Sequence, residues 1–141
     1  MITAVDTNVL LDVFGANQKY GTASAGALDM CAAQGSLIAS AVVWSETAAA
    51  FAEASAFERA MRNLGVSFSP LTEAAVNRAA RSWRSYRQRG GRRDRITSDF
   101  LIGAHALECA ERLLTRDRGF FRHYFLGLQL IDPSPLEKHR E

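Results

Sequence analysis

The chain has 141 residues, 48% of them hydrophobic and 23% charged, with a formal net charge of +2. A chain of about 150 residues buries roughly two-thirds of its unfolded surface, so one domain with a self-sufficient core is expected. No apolar run approaches the roughly 20 residues of a membrane helix, and Asp6 and Asp12 interrupt the start of the chain before its first basic residue, Lys19, so the cytoplasm is the expected location.

In chain order, Ile2, Ala4 and Val5 read as a short buried strand, and Asp6-Thr7-Asn8 leads into a helix from Val9 to Phe14 that Gly15 ends. A second helix runs from Tyr20 to Ala33 and stops at Gly35. Leu37-Ile38-Ala39 is a strand, and Ser40 to Ser45 leads into an alanine-rich helix with Glu46 in its first turn. An amphipathic helix, Ser55 to Leu64, precedes the strand Val66-Ser67-Phe68, which Pro70 closes. Thr72 caps a long helix from Glu73 to about Gln88, with an apolar stripe of Ala75, Val76, Ala79, Ala80 and Trp83. Gly90-Gly91 breaks it into a basic loop. A nearly all-apolar helix, beginning at Thr97 or Ser98 with Asp99 in its opening turn, is expected to be buried on most sides. Leu113-Leu114-Thr115 is a strand, Phe120 to Tyr124 a short helix, and Leu128 to Ile131 a last strand. Strands alternating with helices argue an α/β fold with a mostly parallel sheet. Residues 1–133 form one domain and 134–141 a polar tail. Cys31 and Cys109, the only cysteines, fall in helix-like apolar patterns and read as buried free thiols.

Four acids, Asp6, Glu46, Asp99 and Asp117, stand at strand ends or helix starts. In a parallel sheet these positions converge at one edge, where ligands bind outside the carboxyl ends of the strands. Each also has a purely structural reading. Asp6 serves as a helix cap, Asp99 as a first-turn acid favoured by the helix dipole, and Asp117 as a turn residue before Gly119. Packed carboxylates repel unless one is protonated or a cation sits among them. All-oxygen ligands suit Mg²⁺ or Mn²⁺, and such ions polarise phosphoryl oxygens and activate water. The reaction class this implies is phosphodiester hydrolysis.

Eight arginines lie between Ala74 and Ile96 (Arg78, Arg81, Arg84, Arg87, Arg89, Arg92, Arg93 and Arg95) against a single acid, Asp94. Arginine favours planar, bidentate contact with phosphate, so RNA backbone is the natural ligand for Arg84, Arg87, Arg89, Arg92, Arg93 and Arg95. Tyr86 and Trp83 are candidates for stacking on bases, although Trp83 belongs to the apolar stripe. Asp94 reads as a surface residue paired with its neighbours. His105 reads as a core or supporting histidine, and Asp12 as facing solvent.

Asp6-Thr7-Asn8, Trp44-Ser45-Glu46, Ser98-Asp99-Phe100-Leu101-Ile102-Gly103-Ala104-His105-Ala106 and Leu114-Thr115-Arg116-Asp117-Arg118-Gly119-Phe120 together resemble the PIN-domain ribonucleases. More narrowly, they resemble the VapC toxins of bacterial toxin–antitoxin pairs. The resemblance implies a compact α/β/α sandwich and a Mg²⁺- or Mn²⁺-dependent endoribonuclease. It also implies a homodimer inhibited by a cognate VapB-like antitoxin. Carried over by position, Asp6, Glu46, Asp99 and Asp117 are the catalytic acids. Asp6 and Asp99 are direct metal ligands, while Glu46 and Asp117 act through water or a second ion. Thr7, Asn8 and Thr115 support them by hydrogen bonds.

Other readings fit less well. A haloacid-dehalogenase-type phosphatase requires a second Asp two residues after the first, where this chain has Asn8. A phosphoacceptor receiver domain requires a late lysine that neither Lys19 nor Lys138 supplies. The remaining alternative is a catalytically silent PIN-fold module that binds RNA or protein, and the four intact acids argue against it.

Overall fold

The computed structural model describes residues 1–91 and 97–133. Its sheet has five strands: β1 (Ile2–Val5), β2 (Ser36–Ser40), β3 (Val66–Ser69), β4 (Arg112–Leu114) and β5 (Gln129–Ile131). They lie in the order β3-β2-β1-β4-β5, and every pairing is parallel. The expected "mostly parallel" sheet is thus parallel throughout.

The connections contain α1 (Thr7–Phe14), α2 (Gly21–Gln34), α3 (Ala41–Ala48), α4 (Ala54–Leu64), α5 (Glu73–Gln88), α6 (Thr97–Cys109) and α7 (Arg118–Tyr124). From β1 to β3 the chain steps one way along the sheet, and from β3 it crosses over to β4 and β5 on the other side. Because parallel crossovers are right-handed, α1 to α4 cover one face and α5 to α7 the other, an α/β/α sandwich. The aromatic side chains divide accordingly. Phe14, Phe51, Phe57, Trp44 and Phe68 form one aromatic cluster, and Tyr86, Phe100, Phe120, Tyr124 and Phe125 form another.

α6 is buried from Phe100 to Ala106 apart from half-buried Leu101, as its composition predicts. α5 differs from its predicted stripe. Ala75, Ala79 and Tyr86 are buried, while Val76 is 43% exposed and Ala80 faces outward. The packed row is rotated by one residue toward the flank that meets α6, and Tyr86 contacts Phe100 and Tyr124. Tyr86 is therefore a core residue, unavailable for stacking on bases. Cys31 is buried and Cys109 half-buried, both as free thiols.

Gly103 sits inside α6, where a methyl group would collide with the Phe125 ring. Alanine ordinarily strengthens a helix interior by about 1 kcal/mol over glycine. Gly103→Ala is nonetheless expected to destabilise the protein by about 1–3 kcal/mol through overpacking, measured by urea unfolding.

Candidate active site

In the strand order β3-β2-β1-β4-β5 the direction of travel reverses between β1 and β4, and the crevice at their carboxyl ends is the natural ligand position of an open α/β sheet. The first residue past β1 is Asp6, and the first past β4 is Thr115. The Asp6 N–H donates to the Leu114 carbonyl at 2.9 Å, continuing the ladder by one step. This fixes the two side chains face to face, and Thr115 Oγ1 donates to Asp6 Oδ2 at 2.7 Å. Asp6 Oδ1 accepts from the Thr7 N–H, also at 2.7 Å, so Asp6 caps α1 while it faces the crevice. Only 6% of its surface is exposed.

Burial raises the Asp6 carboxyl from its ordinary 3.8 to about 6, and the hydrogen bonds from Thr115 and Thr7 offset part of that rise. The charges of Asp99 and Glu46 push in the same direction as burial, so these three acids share one electrostatic neighbourhood. Asp99 stands in the first turn of α6. Glu46 does not stand in a first turn, as the sequence suggested. Ser40 caps α3 through the Val43 N–H and starts the helix at Ala41, so Glu46 lies a turn further on. Its Oε1 accepts from Thr7 Oγ1 at 2.9 Å, which ties it to the residue beside Asp6. Asp117 precedes α7 without a side-chain capping bond, and its N–H donates to Thr115 Oγ1 at 3.0 Å.

Asn8 has a different role from the hydroxyls. Its Oδ1 accepts from the Arg116 N–H at 3.4 Å, tethering the loop after β4. Asp12 is not solvent-facing but 3% exposed, because α1 turns that flank inward and Arg116 meets it with two nitrogens. The available signal was an acid set inside the apolar word Val9-Leu10-Leu11-Asp12-Val13-Phe14; its partner lies 104 positions away. His105 is 1% exposed and bonded to Ser69 Oγ at 2.8 Å, a core histidine whose pKa burial lowers.

Arg84, Arg87 and Arg89 are exposed over the end of α5. They share that surface with half-buried Trp83, over whose ring the Arg87 guanidinium lies at 5.1 Å. Arg92, Arg93, Asp94 and Arg95 fall outside the described residues, as does the 134–141 tail.

The donors around Asp6 are carboxylate and hydroxyl oxygens, the chemistry of Mg²⁺ or Mn²⁺. Among the described residues no three Asp, Glu, His or Cys side chains stand close enough to enclose an ion.

The raised Asp6 pKa carries a stability cost with a definite pH dependence. Above about pH 6 the carboxylate is ionised and buried, and the full cost applies; below 3.8 it is protonated in both folded and unfolded chains, and the cost disappears. In the absence of divalent cations, Asp6→Asn is expected to stabilise the protein by about 1–3 kcal/mol at pH 8. Urea titrations across pH should show that gain vanish below about pH 4.

Several solved structures share this architecture. Of the chain, 94% aligns with 98% of a chain from VapBC2 of Rickettsia felis bound to a DNA fragment from their promoter, at 18% identity and TM-score 0.72. VapBC-1 of nontypeable Haemophilus influenzae aligns over 94% and 98% of the two chains, at 19% identity and TM-score 0.71. A toxin–antitoxin complex from Klebsiella pneumoniae aligns over 95% and 99%, at 20% identity and TM-score 0.68. Compared with curated proteins by sequence, the chain has no significant match. The family model of the PIN domain matches residues 3–126, most of the chain, and the protein therefore belongs to the PIN domain family.

Proposed function

We propose that the protein is a Mg²⁺- or Mn²⁺-dependent endoribonuclease, the toxin of a toxin–antitoxin pair, acting in the cytoplasm as a homodimer until a cognate VapB-like antitoxin neutralises it. The observation that carries this reading is the buried carboxylate at the switch point: Asp6, held by Thr115 and Thr7, with the charges of Glu46 and Asp99 on it. The antitoxin and its pairing are supported by the structures sharing the fold, which are two-component VapBC and toxin–antitoxin complexes.

Hydrolysis forms a bond from a water oxygen to phosphorus and breaks one P–O ester bond. A bound divalent cation would polarise the phosphoryl oxygen and acidify water. Asp6 and Asp99 would hold that ion. At neutral pH Asp6 is ionised, since its pKa is about 6, and its two hydrogen bonds fix the direction of its lone pairs. Glu46, exposed and hydrogen-bonded to Thr7, would accept the proton of the attacking water. Asp117, anchored through Thr115, would orient the water or a second ion. Arg84, Arg87 and Arg89 would grip the RNA backbone, with Arg92, Arg93 and Arg95 continuing the same basic run.

The test is cleavage of a panel of structured RNAs by purified, antitoxin-free protein in Mg²⁺, Mn²⁺ or EDTA. Cuts are expected with either ion and none in EDTA, and Asp6→Asn or Asp99→Asn is expected to lower the rate at least about 100-fold. RNA bound but never cut would favour the silent binding module, and cuts surviving both substitutions would refute the site. Replacing both Arg84 and Arg87 with Gln is expected to weaken RNA binding and flatten its salt dependence by about 0.7 log units per lost phosphate contact, read by fluorescence anisotropy.

A further inference from the structure

Arg116 lies between the two residues on which the crevice depends, Thr115 and Asp117, yet its side chain turns away from them. Nε stands 2.7 Å from Asp12 Oδ2 and Nη2 stands 3.0 Å from Oδ1, a two-pronged pairing with a planar fork. Ser24 Oγ donates a third bond to Asp12 Oδ2 at 2.8 Å. The guanidinium lies over Tyr20, 4.1 Å from the ring centroid. Asp12 belongs to α1, the helix that Asp6 caps, and the Arg116 N–H is bonded to Asn8 on the same helix.

We propose that Asp12 and Arg116 are positioning residues, a clamp that locks the Thr115–Asp117 loop to α1 and so sets where Asp117 stands relative to Asp6. The proposal rests on the nuclease reading and deepens it. Two points on α1, Asn8 and Asp12, hold the loop by its backbone and its side chain, and Asp6, the cap of that helix, holds it at a third point through Thr115. Three points of attachment to one helix and its cap remove the loop's freedom to rock. A single contact would leave it a hinge. Stability alone does not account for the pair: Asp12 is buried and Arg116 half-buried, and taking such charges out of water costs enough that well-packed apolar residues of similar volume often do as well. What the ion pair adds is direction, since the fork admits one orientation of the guanidinium.

That difference supplies the test. Removing the Arg116 guanidinium alone would strand the buried Asp12 charge and probe folding more than positioning. The informative variant is the double replacement Asp12→Leu with Arg116→Met, which keeps an apolar contact without the fork. It is expected to unfold at a temperature close to wild type and to leave KM for RNA within about threefold, while kcat falls about 10- to 100-fold. Arg116→Lys is expected to show a similar kcat loss, because one ammonium cannot span both oxygens. Amide hydrogen exchange gives a readout independent of activity. The Arg116 and Asp117 N–H groups, bonded to Asn8 and Thr115, should exchange at least about tenfold faster in the double variant, with the sheet amides of β1 and β4 unchanged. Wild-type kcat, or unchanged exchange at those two amides, would overturn the clamp. If wild-type protein cuts no RNA, the nuclease reading fails and the exchange measurement still decides whether the clamp exists.

Discussion

Thr115 Oγ1 donates to Asp6 and accepts from the Asp117 N–H, so one fully buried oxygen joins the ends of β1 and β4 to the start of α7. A carboxylate taken out of water is unfavourable by several kcal/mol unless hydrogen bonds replace its hydration. Thr115 and the Thr7 N–H do part of this for Asp6, and Thr115 is in reach because the ladder bond from Asp6 to Leu114 brings the two strand ends into register. Capping a helix and facing the crevice are here one role. The β-region backbone that suits an N-cap leaves the carboxylate at the mouth of the sheet.

The elements were legible in the sequence because glycines and prolines punctuate it. Gly35, Gly65 and Pro70 mark the strand boundaries to within about a residue, and alternation of strands with helices forces a parallel sheet. The candidate acids were legible for the same reason, since each is tied to an apolar segment that has one place to go. Asp12 and Arg116 were not legible as a pair. Neither carries a local signal of the other, and only the closing of β4 onto β1 brings them together. Glu46 was misjudged by the length of one turn, because Ser40 caps α3 and the helix already begins within the Ser40 to Ser45 stretch read as its lead-in. On α5 the periodicity identified the right side of the helix, but Ala80 and Val76 stand beside Ala79 and Ala75 and resemble them. Only the neighbour, α6, decides which of those adjacent flanks is covered.

Net charge conceals how the arginines divide. Arg78 is committed to Glu108, Arg116 to Asp12, and Arg118 to Asp132. Arg112 is buried against Thr3 and Gln34 at the opposite end of the sheet. Arg84, Arg87 and Arg89 keep their charge exposed at the end of α5 that leads toward α6 and Asp99. The acids and the exposed arginines therefore occupy different elements. A polyanion can be attracted to one without neutralising the other.

The bond between Asp6 and Thr115 spans 109 positions of sequence. At the usual pace of about 5–20 residues per second, a ribosome needs roughly 5–20 s to add the second residue after the first. During that interval the emerging polypeptide carries Asp6, joined in turn by Glu46 and Asp99, without the strand that ends in Thr115. A chain still being translated has no assembled crevice, so whatever chemistry the crevice performs begins only after nearly all of the domain has emerged. The order of the strands thus acts as a built-in delay between synthesis and activity.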